Sequence, residues 1–177
     1  MKTVNGDAID HLMHACRARL SAAARGQIAA LGVAIDGPFA ATYPADTWVA
    51  CVKLAAAELF PDRDEVEAQR ELGHLRIAVV ATSLKGRALF ALSRLAPREK
   101  GLGRYVARLA SGASYTQTRF TVIGPRHYEI WVNDVTGVPG FWWGMLEAGA
   151  QHAAGCTDPM TIAARDGDSC TYAIRGA

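Results

Sequence analysis

The hydrophobic periodicity of the chain changes from about four to two near Tyr115, and this change constrains the fold more than any other feature. Before that point apolar residues recur at steps of three and four, as in "WVACVKLAAAELF", which is typical of a helix with one buried face. After it, in "TRFTVIGPRHYEIWV", apolar and polar residues alternate, as they do along a half-buried strand. We therefore predict a long helical part followed by a sheet.

The segment after this change predicts four strands and one helix. A Gly-Pro pair separates the first two alternating runs, and "DGDS" separates a second pair, "MTIAAR" and "CTYAI". A helix from about Pro139 to Ala154 is expected between the two hairpins. The fold class that follows is α+β: one domain over residues 1–177, with a helical bundle in 1–112 and a ββαββ unit in 113–177 that forms a four-stranded antiparallel sheet.

The helical part contains capping signals and a second apolar face. Asp62 or Asp64 is expected to cap one helix, and another helix is expected to run from about Pro97 to Ser111. The helix after the aspartates is predicted to present an apolar face formed by Leu72, Leu75, Val79 and Leu84.

Charge and hydropathy narrow the class of partner. A formal net charge of +2 over 177 residues is too small to indicate nucleic acid or an anionic membrane as a partner. The longest uncharged apolar stretch, "IAVVATSL", is far too short to cross a bilayer, and the N-terminus has no run resembling a signal peptide. We therefore expect a cytoplasmic protein with reduced cysteines, which are Cys16, Cys51, Cys156 and Cys170.

Three of the four tryptophans lie in one stretch, "WVNDVTGVPGFWWG". Trp142 falls in the apolar row of the predicted helix and is expected in the core, whereas Trp143 falls beside polar residues and is expected to be half exposed. Trp131 shares a strand face with Glu129 and Asn133, opposite the aliphatic face, which suits contact with a second layer, a cavity or a partner. For each indole, simple core filling is the alternative.

Several motifs resemble known families. From about Asp36 onward, "YPADTW", "GRALFAL", "YTQTR", "FWWGMLEAG" and "CTYAI" resemble an uncharacterised myxobacterial family of paralogues, known as a domain of unknown function. More distantly, "TRFTVIGPRHYEIWVNDVTGVPGFWWGMLEAGAQ" and the final hairpin resemble haem nitric-oxide/oxygen-binding domains and the related vinyl-reductase-type ligand domains of bacterial signalling proteins. These resemblances imply a small-molecule cavity between a helical layer and a four-stranded sheet, and a sensory or ligand-holding role.

The groups that bind haem or zinc in those relatives have few counterparts here. The resemblance implies a proximal histidine on the helix before the first strand, and the matching stretch "REKGLGRYVARLASGA" contains none. The propionate clamp Tyr-x-Ser-x-Arg falls on Trp131, Asn133 and Val135, so its arginine is missing as well. Of the closely spaced cysteines that often bind zinc in vinyl-reductase relatives, only Cys170 has a match. We therefore predict no haem, no metal and no other cofactor.

The remaining candidates for chemistry have simpler interpretations. His11 and His14 lie one helical turn apart, but without a third ligand they are interpreted as exposed or capping residues rather than a metal pair. His74 is interpreted as a hydrogen-bonded core or surface histidine. Arg119 either clamps an acidic ligand or pairs with Glu129 across the hairpin, and the pair is favoured. No catalytic triad or carboxylate pair follows from the spacing, so nothing indicates an enzyme.

These observations favour a non-enzymatic signalling or sensory module that holds a small apolar or amphipathic ligand between its helices and its sheet. The residues expected to contact the ligand are Tyr115, Arg119, Trp131, Trp142 and Trp143. The alternative is a protein–protein interaction or scaffold module, for example a homodimer, in which Trp143 lies in a protein-facing patch. An enzyme with a dispersed active site is a third interpretation.

Overall fold

The computed structural model describes residues 1–176, and Ala177, the last residue of the predicted 1–177 domain, lies outside the described residues. The helical part contains β1 (Thr3–Asn5), α1 (Gly6–Cys16), α2 (Ala22–Ala30), β2 (Thr42–Pro44), α3 (Ala45–Leu59), α4 (Glu65–Thr82), α5 (Leu84–Arg94) and α6 (Arg98–Ala110). None of the helices within residues 1–176 combines the length and the apolarity that a membrane span requires.

The last part of the chain forms a four-stranded sheet crossed by one helix. Its elements are β3 (Thr118–Gly124), β4 (His127–Val132), α7 (Pro139–Ala154), β5 (Met160–Asp166) and β6 (Ser169–Arg175). The strands lie in the order β3-β4-β6-β5, and every neighbouring pair is antiparallel. The α+β class and the ββαββ order predicted from the periodicity are confirmed.

A two-stranded ribbon that the sequence did not predict holds the N-terminus. β1 pairs antiparallel with β2, with Val4 opposite Tyr43, and Val4 also bridges to Ala113 just after α6. Three residues per strand are too few for alternation to be recognised in a sequence. The ribbon brings the start of α1 next to the end of α6, where the cavity described below lies.

Helices α4 and α7 pack backbone to backbone through glycines. A Cβ atom on Gly73 would lie 2.5 Å from the carbonyl oxygen of Phe141 and 2.8 Å from the backbone nitrogen of Met145. Cβ atoms on Gly140 and Gly144 would likewise overlap carbonyl groups of α4. Only residues without a side chain allow this approach, so these glycines determine how closely α7 lies on α4.

The boundary between α4 and α5 differs from the prediction. Asp64 caps α4, since its carboxylate accepts a hydrogen bond of 2.9 Å from a backbone N–H of the first turn. Ser83 ends α4 and caps α5, because its hydroxyl accepts a hydrogen bond of 3.0 Å from the backbone N–H of Gly86. Leu84 therefore begins a new helix and is 78% exposed, so the prediction that it extends the apolar face of Leu72 was wrong.

The two faces of β4 have different surroundings. Tyr128, Ile130 and Val132 are buried, and the guanidinium carbon of Arg98 in α6 lies 6.0 Å from the centre of the Tyr128 ring. Trp131 points to the opposite face and is partly exposed. The alternation therefore matches the prediction, with the aliphatic face of the strand directed toward α6.

Candidate ligand site around Arg76

Arg76 of α4 is a cation surrounded by apolar and aromatic groups. Its Nη1 donates a hydrogen bond of 2.9 Å to the thioether sulfur of Met145, and its Cζ lies 5.9 Å from the centre of the Trp48 ring. Its Nε is shielded from solvent and has no hydrogen-bond partner, and within residues 1–176 no carboxylate forms an ion pair with it. Burial lowers the pKa of Arg76, although a guanidinium stays protonated at neutral pH. The result is a positive charge without a protein counter-charge.

A cavity of about 50 Å³ borders Arg76. Its aromatic lining consists of Trp48 from α3, Trp142 from α7, and Tyr115, which lies between α6 and β3. Thr116 also lines the cavity, and its buried hydroxyl has no hydrogen-bond partner. Among the described residues, no Asp or Glu contributes to the wall. Two side chains with unpartnered polar atoms therefore border one largely apolar space, which is unusual for buried polar groups.

A cleft of about 210 Å³ adjoins this cavity and is more basic. The residues that line both spaces are Ala8, Arg76, Leu109 and Gly112. His11, Lys85 and Arg108 add basic groups to the cleft, and Asp7 is the one carboxylate in the described part of its wall. Burial and, secondarily, the charge of Arg76 lower the pKa of His11. His11 is therefore neutral at neutral pH, and Lys85 Nζ lies 3.8 Å from the carboxylate of Asp7. The cations of the described cleft wall that form no ion pair are Arg108 and Arg76 itself.

Two of the five residues expected to contact a ligand meet at this cavity. Trp142 lies in the core, as predicted, and is 9% exposed. Tyr115 lines the same space, and its hydroxyl is 3.0 Å from the hydroxyl of Thr136. Burial raises the pKa of Tyr115, so the phenol stays protonated at neutral pH. The structure thus brings an indole and a phenol from distant parts of the chain to one wall.

Arg119 and Trp131 lie elsewhere, on the outer face of the sheet. They are directly opposite each other in β3 and β4, and the guanidinium carbon of Arg119 is 5.1 Å from the centre of the indole. The favoured pairing of Arg119 with Glu129 was wrong, because the register places Thr121, not Arg119, opposite Glu129. Within residues 1–176 the structure shows a cation–π contact for Arg119 and no ion pair with Glu129.

Trp143 lies at the junction of α4 and α7, half buried as predicted. The guanidinium carbon of Arg70 is 4.2 Å from the centre of its ring, and Arg70 donates hydrogen bonds of 2.8 and 3.0 Å to Glu147. His74 Nε2 is 2.9 Å from the same carboxylate, which confirms that His74 is hydrogen-bonded. Burial alone would raise the pKa of Glu147, but hydrogen bonds from His74 and Arg70 outweigh burial and lower it. Trp143 is not among the residues that line the cavity.

Sequence reasoning missed Arg76 and Thr116. Arg76 follows Leu72 by one helical turn and directly precedes Ile77, and both of these neighbours are buried. The available signal was a charged residue between buried apolar residues of one helix. The apolar face predicted for this helix, however, consisted of other residues and did not include Arg76. Nothing in the sequence distinguishes Thr116 from the other threonines around the start of β3, so its place in the site could not be predicted.

The described residues contain no arrangement typical of a metal centre. Within residues 1–176, no group of three or more His, Cys, Asp and Glu side chains is placed to hold an ion. His14 is exposed, whereas His11 borders the basic cleft. Cys170 and the other three cysteines are buried thiols outside any disulfide.

Solved structures share this architecture. A variant of the H-NOX protein of K. algicida, in its Fe(II) unliganded form, is 12% identical, with a TM-score of 0.67 over 96% of this chain and 95% of that chain. The H-NOX protein of S. oneidensis in the Fe(II)NO state is also 12% identical, with a TM-score of 0.67 over 97% of this chain and 98% of that chain. An oxygen-binding H-NOX domain related to soluble guanylate cyclases is 9% identical, with a TM-score of 0.62 over 96% and 92%. The fold is therefore that of the H-NOX proteins.

The chain also matches one protein family. The family described as "Protein of unknown function (DUF2378)" matches residues 2–175, and the chain belongs to it. A comparison with curated proteins finds none that matches.

The residues of this chain do not fit haem held by a histidine and an arginine clamp. On α6 the buried aromatic donor is Tyr105, and its hydroxyl is already committed to the carbonyl oxygen of Met145 at 2.7 Å. At the clamp positions, the Asn133 amide is hydrogen-bonded to the backbone of Tyr115 and Gln117, and the buried side chain there is a valine, not a cation.

Proposed function

We propose that the chain is a non-enzymatic sensory module that holds a small amphipathic ligand where the cavity and the basic cleft meet. The single observation that carries the proposal is the pair of unpartnered polar atoms, Arg76 Nε and Thr116 Oγ1, beside an aromatic-lined space. Buried polar groups in native proteins almost always have partners, and a site that leaves two unpaired suits a ligand that supplies them.

The fold supports the same function. The similar solved structures are described as H-NOX proteins in Fe(II) unliganded, Fe(II)NO and oxygen-bound states, so proteins with this architecture bind small ligands. We infer that the present chain has kept a place for a ligand while its chemistry differs. We place its action in the cytoplasm, where its buried thiols stay reduced.

The five residues expected from the sequence then divide by role. Tyr115 and Trp142 contact the ligand, because both line the cavity. Trp143 supports the packing of α7 on α4 beneath Arg70, one layer away from the ligand. Trp131 and Arg119 lie on the outer face of the sheet, and we expect them to contribute nothing to ligand affinity.

The test is native mass spectrometry after incubation with a panel of small aliphatic and aromatic acids, alcohols and amines. We expect at least one adduct with the wild type and its loss in Ala113→Leu, whose larger side chain would fill the cavity that Ala113 lines. Trp131→Phe is the matched control and should keep the adduct. A wild-type chain that binds no member of the panel would rule out this proposal.

An interaction module remains the second candidate, and one observation favours it. Leu84 and Leu92 of α5 and Leu95, which caps the end of this helix, are 78%, 62% and 84% exposed, so three large apolar side chains at one helix face water. Light scattering would distinguish the two functions. A stable dimer that Leu92→Glu converts to a monomer, in a chain that binds no small molecule, would replace the sensory proposal with this one.

A further inference from the structure

The charge of Arg76 identifies the class of ligand. An arginine carries five N–H donors, and here one is directed to a thioether sulfur, which is a weak acceptor, while Nε has no partner. A guanidinium removed from water is costly unless an anion or several good acceptors compensate it. Within residues 1–176 the cavity wall supplies no carboxylate for this purpose.

Thr116 adds a second donor to the same space. Its hydroxyl is buried and unpartnered, lines the same cavity as Arg76, and can donate to an anionic oxygen there. Arg76 is the one cation among the described residues that line the cavity, so the site matches a single negative charge. The remaining wall is apolar and aromatic, with Trp48 and Trp142 positioned against the body of a ligand.

The basic cleft provides the approach for such a ligand. Among the described residues of its wall, Lys85 forms an ion pair of 3.8 Å with Asp7, and Arg108 is a cation that forms no ion pair. The cleft and the cavity share Arg76, so an anionic group that enters along the cleft reaches the guanidinium at the boundary between the two spaces. Positive groups along a cleft raise the local concentration of an anion.

We propose that the ligand is a monocarboxylate with an apolar body, whose carboxylate is bound by Arg76 and Thr116 and whose apolar part contacts Trp48 and Trp142. This inference rests on the proposed sensory function and specifies the chemistry of that same site. A guanidinium fork matches the two oxygens of a carboxylate, and the aromatic wall selects against small hydrophilic acids.

The experiment compares aliphatic monocarboxylates of four to ten carbons with the primary alcohols and amines of equal length, by titration calorimetry and by quenching of tryptophan fluorescence. We expect the acids to bind at least about tenfold more tightly than the alcohols, and the amines not to bind. Arg76→Gln should weaken acid binding at least about tenfold and make acids and alcohols equal, while Arg76→Lys should keep part of the preference because it keeps the charge. Arg87→Gln, at an exposed arginine of α5, is the control and should bind as the wild type does.

The outcomes separate this inference from the proposed function. Equal binding of acids and alcohols by the wild type, or unchanged acid binding in Arg76→Gln, would show that the ligand is not recognised by its negative charge. The proposed ligand-binding function would still stand. Selective binding of alkyl phosphates over carboxylates would overturn it too. If Arg76→Gln does not fold, the acid and alcohol series on the wild type still decides the question, since it needs no variant. Failure of the wild type to bind any of these molecules or any member of the wider panel would remove the proposed function itself.

Discussion

The α-carbon of Gly73 in α4 faces the carbonyl oxygen of Phe141 in α7 so closely that a Cβ atom would lie 2.5 Å from it. The contact is between two backbones, so neither partner has a flexible group that can move aside. It lies one turn before Arg76 on α4, and it sets the distance between the helix that carries the charge and the helix that carries Trp142.

Gly73→Ala is expected to lower the free energy of unfolding by about 3 kcal/mol, because overpacking a rigid contact forces backbone shifts. Urea denaturation followed by circular dichroism measures the change. Gly26→Ala is the matched control: a Cβ at this exposed position of α2 would meet nothing within 4 Å, and we expect it to stabilise the fold by about 0.5–1 kcal/mol. Equal effects of the two substitutions would show that the α4–α7 contact is not as rigid as the structure indicates.

Arg76→Met is expected to raise the free energy of unfolding by about 1 kcal/mol, because it removes a partly buried charge that has no counter-charge and keeps a side chain of similar length. The same substitution should abolish the binding of anions. Arg87→Met, at an exposed site, should change stability by less than about 0.5 kcal/mol. Thermal and urea unfolding of the wild type and the two variants measures these changes. A lower free energy of unfolding in Arg76→Met would mean that the charge of Arg76 stabilises the fold.

Glu147 makes stability depend on pH in the acid range. The pKa of Glu147 is lower in the folded chain than the ordinary glutamate value of 4.5, because hydrogen bonds from His74 and Arg70 outweigh burial. A lowered folded pKa means that the stabilisation is complete above the unfolded pKa and is lost as the pH falls through the folded pKa. Glu147→Gln should therefore lower the free energy of unfolding by about 1.5–3 kcal/mol at pH 7. The difference in this free energy between the variant and the wild type should shrink below pH 4.5.

The control for this profile is Glu71→Gln, because Glu71 lies on the same helix as Arg70 and forms no ion pair within residues 1–176. Its denaturation midpoint should follow that of the wild type over the whole pH range. If the free energies of unfolding of Glu147→Gln and the wild type differed by the same amount down to pH 3, Glu147 would not be the source of the pH dependence.

Cys16 and Cys51 should resist alkylation in the native protein. Both are fully buried, and burial raises the pKa of Cys16 to about 12 and that of Cys51 to about 11. The reactive form is the thiolate, so iodoacetamide at pH 8 should leave both unmodified until urea unfolds the chain. Peptide mass spectrometry reports each site separately. Rapid labelling of Cys16 without denaturant would indicate local opening of α1.

Elements with a strong local pattern were predictable. The alternation of Tyr128, Ile130 and Val132 identified both the strand and its buried face, since successive side chains of a strand point to opposite sides whatever the strand packs against. A cap at Asp62 or Asp64 and a helix ending at about Ser111 followed from equally local chemistry, and the structure has Asp64 as the cap and Ala110 as the last residue of α6. The resemblance to haem nitric-oxide/oxygen-binding domains added the layer architecture that periodicity alone could not supply.

The partners of individual side chains were not predictable in the same way. The sequence placed both Glu129 and Trp131 on the strand next to Arg119. Only the register of β3 against β4 places the Arg119 side chain on the indole of Trp131. The three-residue strands that pair Val4 with Tyr43 left no pattern to recognise.

By itself, the sequence determined the order of the four sheet strands and the helix between them, and the buried face of β4, because these properties depend on residue identity and on spacing over a few residues. Only the tertiary structure decided that Arg76 and Thr116, forty positions apart, share a cavity with Trp48 and Trp142. The physical reason is that the partners of a charge depend on everything packed around it, and here the residues that line the cavity come from six elements distributed along the chain.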